Sequence, residues 1–285
     1  MKKTEIDRGA LNYNFLKRII IRFDYDGMDD TELDRILPEI SNELKNHGYT
    51  DRKEEILREV ELTFDDPESS EYNQTYRKNI QDQKVFVFHN ENPQVKLKIS
   101  STCACIAIEK SKYVNCLDYC HVLWKVMRII SDSDKVPFFR FTRFGLRKIN
   151  QCFLLDIGQL NVYFEASHFR TFHALNGNAI KEKVMQLKDS FEINDYNINL
   201  VRGIIRGEIQ KQEAYQVDYD ADIYLLNEEN IKERIQNESK IAEMNALLFE
   251  LYKNAVTEKF LNDLIDGTIN KEIIMGVESN GGDTV

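Results

Sequence analysis

The sequence predicts an α+β fold of mainly antiparallel sheets with helices packed on one face, and three observations carry that reading. Apolar and polar residues alternate over several long segments, which is the period of half-buried strands. Most of these segments follow one another through short turn signals, so they pair as hairpins rather than through helical crossovers. Stretches with helical spacing are few and separate them. The order suggests two lobes of split-βαβ type, 1–150 and 151–275, the second closed by a long C-terminal helical segment. A polar, Gly-containing tail over 276–285 is expected to be disordered.

Each element follows from its own pattern. Phe15, Ile19, Ile21, Phe23 and Tyr25 share one parity, with Arg18, Arg22 and Asp24 on the other, so 15–25 reads as a strand. The turn Asp26-Gly27-Met28-Asp29-Asp30 follows, with Asp29 or Asp30 suited to cap a helix. Leu33, Ile36, Leu37, Ile40 and Leu44 then keep helical spacing. Pro38 inside that run predicts a kink or restart, and Gly48 a left-handed stop. Ile56, Val60, Leu62 and Phe64 suggest a second strand, and 65–75 an acidic loop. Segments 84–88 and 95–100 flank a turn, and 102–108 is the next strand. Leu123, Trp124, Met127 and Ile130 mark a helix over 117–130, and a long strand runs from about Pro137 to Asn150. Ala179–Leu187 looks helical, Tyr196–Ile209 and Glu213–Leu226 look like long strands, and Asn227–Asp266 like a helical stretch with one break.

The composition narrows the function classes. Hydrophobic residues make up 42% and charged residues 30% of 285, enough for both a core and a soluble surface. The longest apolar run, Cys103 to Ile108, falls far short of the roughly 18 to 20 residues that span a bilayer. Neither a membrane partner nor a signal peptide is expected. The net charge of −10 argues against a general nucleic-acid coat, which needs cation density along the phosphates. The five cysteines, Cys103, Cys105, Cys116, Cys120 and Cys152, carry no C-x-x-C spacing. They read as reduced core thiols of a cytoplasmic protein rather than as zinc ligands.

Two charged strands and one turn could carry chemistry. Between Lys135 and Leu155 there is no acidic residue, and Arg140, Arg143, Arg147 and Lys148 interleave with Phe138, Phe139, Phe141 and Phe144. Arg143, Gly145 and Arg147 share a strand face. Such a face can bind phosphates and stack bases, or its arginines can pair with the acidic excess while the phenylalanines fill the core. Arg202 and Arg206 could join this patch or pair with Asp218 or Asp220. Asp218, Asp220 and Asp222 line one face of another strand, which is either a row able to hold a divalent cation or a solvated face opposite Tyr219, Ala221 and Ile223. Asp24 and Asp26 close the first strand as metal-binding carboxylates do, but two-metal chemistry needs a second acidic cluster, and the hairpin 89–92 supplies a poor one. No P-loop, G-x-G-x-x-G, nucleophile elbow or H-E-x-x-H occurs.

Three places together resemble a sporadically distributed family of uncharacterised bacterial proteins. They are Ile19-Ile20-Ile21-Arg22-Phe23 with Ile36-Leu37-Pro38-Glu39-Ile40, then Arg143-Phe144-Gly145-Leu146-Arg147-Lys148-Ile149-Asn150, and then Val217-Asp218-Tyr219-Asp220 with the closing segment from Leu248 to Phe260. The middle one is similar to the family's Gly-Leu-Arg-x-x-Asn strand, with Lys148 where an aromatic residue is usual. The family's patchy occurrence implies horizontally transferred loci such as antiviral defence or toxin–antitoxin cassettes.

The sequence therefore points first to a non-enzymatic interaction or regulatory protein. It would act through a protein partner or self-association, with no cofactor expected. The alternatives are a metal-dependent enzyme on nucleotides or nucleic acid, with a divalent cation on Asp24, Asp26, Asp218, Asp220 and Asp222, and a nucleotide or anion sensor using the arginine face.

Overall fold

The computed structural model describes residues 3–12, 14–64, 76–109, 116–169, 184–209, 211–235, 238–268 and 273–275. Among these residues the strands are β1 (Leu16–Asp26), β2 (Tyr49–Phe64), β3 (Tyr76–Asn90), β4 (Val95–Ile99), β5 (Cys103–Glu109), β6 (Arg140–Leu154), β7 (Val184–Ile193), β8 (Tyr196–Ile209), β9 (Gln212–Leu225) and β10 (Ile273–Met275). The helices are α1 (Asp30–Lys45), α2 (Cys116–Ser131), α3 (Leu160–Tyr163), α4 (Glu228–Ile235), α5 (Glu238–Ala255) and α6 (Glu258–Asp266). The strands follow the hydrogen-bonded order β2-β3-β4-β5-β1-β6-β9-β8-β7, with β10 added to β6. The hairpins β2–β3, β3–β4, β7–β8 and β8–β9 are antiparallel, as is the long-range pair β6–β9. The fold class is α+β.

The chain forms two compact units from interleaved segments. One holds residues 22–106 and 119–142, and the other 1–21, 107–118 and 143–285. The boundary expected at residue 150 falls inside β6.

In the unit of residues 22–106 and 119–142, Phe23 and Tyr25 of β1 point into the core. Phe23 lies 5.6 Å from Phe141 and 6.2 Å from Trp124 of α2, centroid to centroid. Helix α1 buries Leu33, Ile36, Leu37, Ile40 and Leu44. Asp29 caps it by accepting from the Glu32 N–H, and the Glu32 carboxylate accepts in return from the Asp29 N–H. The helix runs unbroken through Pro38, so the restart expected there is absent. Gly48 takes the left-handed conformation, with φ +79°. Gly27 is required by contact as well as by its φ of +81°, because a Cβ there would sit 1.9 Å from the Phe138 carbonyl oxygen. Cys103 and Cys105 are half-buried while Ala104, Ile106 and Ile108 face the core, so the two thiols take the opposite face of β5 from the one that packs.

In the other unit, Phe260 of α6 packs on Phe15, Tyr163 and Phe164 at 5.1 to 5.6 Å. One expectation is corrected here. Residues 184–187 belong to strand β7 rather than to a helix, and 170–183 lie outside the described residues. The closing segment is helical over Glu228–Ile235, Glu238–Ala255 and Glu258–Asp266, with its described break at residues 256–257 and with 236–237 outside the described residues. The break before α6 has a local cause. Glu165 donates to the Ala255 carbonyl and Thr257 to the Tyr163 carbonyl, so this stretch pairs as a short bridge. Thr257 then caps α6 by accepting from the Phe260 N–H. The tail at 276–285 lies outside the described residues.

Candidate functional site

The pleat of β6 and β9 decides where each charged side chain goes, because alternate residues face opposite sides. On β6, Phe144, Leu146, Cys152 and Leu154 are buried, so Arg143, Gly145 and Arg147 share the opposite face as expected. On β9, Val217, Tyr219, Ala221, Ile223 and Leu225 are buried, which leaves Asp218, Asp220 and Asp222 in a row on the other face. The register places Arg147 opposite Asp222 and Gln151 opposite Asp218. The basic and acidic rows therefore stand side by side on one sheet face.

They engage each other. Arg143 donates from Nη2 to both carboxylate oxygens of Asp222, at 2.9 and 2.7 Å. Arg147 forms a two-point bond to Asp220, Nε to Oδ1 at 2.8 Å and Nη2 to Oδ2. Asp218 accepts amide bonds from Gln151 at 2.8 Å and Gln216 at 2.7 Å. The Arg143 guanidinium also lies over the Tyr224 ring, 4.6 Å from its centroid. Gly145 makes room for it, since a Cβ there would come within 2.7 to 2.9 Å of the guanidinium. Burial raises the Asp222 carboxyl above its ordinary value, opposed by Arg143 and Arg147. The hydrogen bond to Asp220 raises Arg147, opposed by burial.

The other arginines have partners different from those the sequence suggested. Arg202 lies on the packed face of β8, only 8% exposed, bonded to Asp189 of β7 and, at 3.0 Å, to the His168 carbonyl. Arg206 pairs with Glu213 across the β8–β9 hairpin. Neither reaches Asp218 or Asp220. The Glu213 partner could have been read from the hairpin register, but Asp189 could not, because its segment looked helical. Arg140 makes an exposed pair with Asp26 at 3.4 Å, and Arg22 bonds Asp24 at 2.6 Å. The phenylalanines of the basic segment divide. Phe141 and Phe144 are core, Phe139 packs on Tyr25 at 5.1 Å, and Phe138 is exposed.

No group of three or more His, Cys, Asp and Glu side chains among the described residues is placed to hold a metal ion. No described helix is long and apolar enough to cross a membrane.

Lys148 stands apart from its neighbours. It is the one residue of the basic cluster on the packed face of β6, and it is only 7% exposed. Its ammonium donates to Asn245 of α5. It lines a cavity of about 70 Å³ together with Leu11, Asn14, Leu16, Asn150, Leu248, Phe249 and Tyr252. Sequence reading singled out Lys148 and Asn150 from the strand motif. It missed Asn14, Asn245 and Tyr252, since nothing local marks a pairing about a hundred residues away.

Fold and site together define an α+β protein with an internally paired charged sheet face and a small cavity beside a buried lysine. No family model matches the chain, and no curated protein matches its sequence. Among solved structures it has a weak similarity to the S. pombe Pct1 RNA triphosphatase in complex with the Spt5 CTD, at 8% identity and a TM-score of 0.12, over 89% of this chain and 84% of that one. A likeness at that score carries no argument about fold or activity.

Proposed function

We propose that the protein is a non-enzymatic interaction or regulatory protein, acting in the cytoplasm through a protein partner or through self-association. One observation carries this reading. The side chains best suited to chemistry, Asp220 and Asp222, are engaged by Arg147 and Arg143. A divalent cation would have to displace two guanidinium groups, and a polyphosphate would have to displace two carboxylates. Asp24 and Asp26 are engaged likewise by Arg22 and Arg140. The ladder then serves as a rigid scaffold for binding surfaces elsewhere on the chain. A setting in a bacterial defence or toxin–antitoxin-like locus comes with the resemblance of the Gly145-Leu146-Arg147 strand.

The test is a tagged purification from the native host, followed by the 260/280 nm absorbance ratio and mass spectrometry of co-eluting chains. A stoichiometric protein partner, or a defined homo-oligomer, without nucleic acid supports the reading. Nucleic acid or nucleotide bound in the absence of any partner overturns it and favours the enzyme or sensor alternatives.

A further inference from the structure

Three of the cysteines, Cys116, Cys120 and Cys152, are buried. The other two, Cys103 and Cys105, are half-buried and stand two residues apart on one face of β5. Packing does not ask for thiols there, because Ala104, Ile106 and Ile108 fill the core from the opposite face.

The surroundings of the pair are polar and cationic. Burial pushes the Cys105 thiol up to about 11 and Cys103 adds to the rise, while Arg22 of β1 and Lys98 of β4 act against it. Arg22 meets Asp24 through Nε at 2.6 Å, and Lys98 lies 3.9 Å from Glu55. Ser100 positions the other sulfur. Its Oγ lies 3.5 Å from the Cys103 Sγ and accepts from the Cys103 N–H at 3.1 Å. Among the described residues, no third His, Cys, Asp or Glu joins the two thiols in a metal-holding group.

We infer that Cys103 and Cys105 together bind a soft monovalent metal ion, Cu(I), as a two-coordinate bis-thiolate. Thiolates are the soft ligands that select Cu(I). Two residues of strand span about 6.6 Å, with both side chains on the same side. A disulfide needs Cβ atoms about 3.8 Å apart, so this pair cannot close one without moving the backbone. Two metal–sulfur bonds of about 2.3 Å bridge roughly 4.6 Å, which the sulfurs reach by leaning together. Charge makes the same choice. Cu(I) displaces both thiol protons and leaves a bis-thiolate of single negative charge beside Arg22 and Lys98. Zn(II) takes four ligands and would bring a second positive charge to a site flanked by cations. Peroxide sensing fits less well, because a thiol kept protonated by burial is a poor nucleophile. This inference does not depend on the partner reading above.

The experiment is an anaerobic competition titration. The full, reduced chain is added to the coloured Cu(I)–bicinchoninate complex, and the loss of its absorbance is read. Transfer of about one Cu(I) per chain is expected, and an equal concentration of Zn(II) should not reverse it. Cys103→Ser and Cys105→Ser, each with an unchanged circular dichroism spectrum, should weaken Cu(I) binding by roughly tenfold or more. If neither variant folds, Arg22→Gln, at an exposed side chain, should weaken binding about threefold at low salt and less at high salt. Absence of transfer, full affinity in folded Cys103→Ser or Cys105→Ser, displacement of Cu(I) by Zn(II), or unchanged affinity in Arg22→Gln would each overturn the inference.

Discussion

Arg143 shows how much one residue's position decides. Its guanidinium meets Asp222 with two bonds, covers Tyr224 and occupies the space that Gly145 leaves. The Asp222 side chain is only 18% exposed, so removing its partner leaves a partly desolvated carboxylate. Arg143→Ala is expected to cost about 2 kcal/mol in urea unfolding. Truncating Asp222 as well should recover part of that loss, and the difference is the coupling energy. Gly145→Ala makes a sharper test. Alanine is ordinarily favoured over glycine in a strand by about 0.5–1 kcal/mol, yet here its methyl group collides with the guanidinium. The substitution should destabilise the wild type and become neutral or stabilising in an Arg143→Ala background, as read by the shift in urea midpoint.

At the scale of elements, the segment from α3 through His168 is held between β8 and the start of α6. Its carbonyl at His168 accepts from buried Arg202, and its backbone pairs with residues 255–257. The His168 imidazole is pushed below its ordinary value of 6.5 by burial first, then by Arg202 and Lys3, with Glu165 opposing. Its folded form therefore stays neutral where the unfolded chain already takes up a proton. The stability it contributes is present above pH 6.5 and is lost as the pH falls from there toward the folded value. Unfolding free energy measured between pH 7 and pH 5 should decline, with a shallower slope in His168→Gln. This segment also shows where sequence reading works and where it stops. The alternation in β1, β6, β8 and β9 was legible because each packs one face on a core, and Asp29 was legible because a capping box is local. A break in the closing segment was expected, but its place before α6 was not legible, because Thr257 caps a helix whose start is set by pairing with Tyr163. Strand β7 was not legible either, because Met185 and Leu187 alternate with polar residues for too few positions to separate strand from helix.

For the molecule as a whole, two charged strands about 75 residues apart in sequence left open whether their faces meet. Each strand's face was readable from its own parity. Their adjacency was not, because the pairing of β6 with β9 is long-range and no local pattern encodes it. Side by side, Arg143 and Arg147 offset Asp222 and Asp220, while Asp218, the third carboxylate of the row, is met by the amides of Gln151 and Gln216. On the function proposed above, this ladder holds the fold rather than binding a ligand. Thermal unfolding of the wild type and of an Arg143→Ala/Arg147→Ala variant tests it, each alone and with Mg²⁺ or Mn²⁺ plus ATP or an oligonucleotide. A ligand that bound only the folded state would raise the transition temperature. The variant is expected to melt roughly 5–10 °C lower without ligand, and no added metal, nucleotide or oligonucleotide should shift either protein. A variant as stable as the wild type, or a ligand that stabilises the wild type and not the variant, would contradict it.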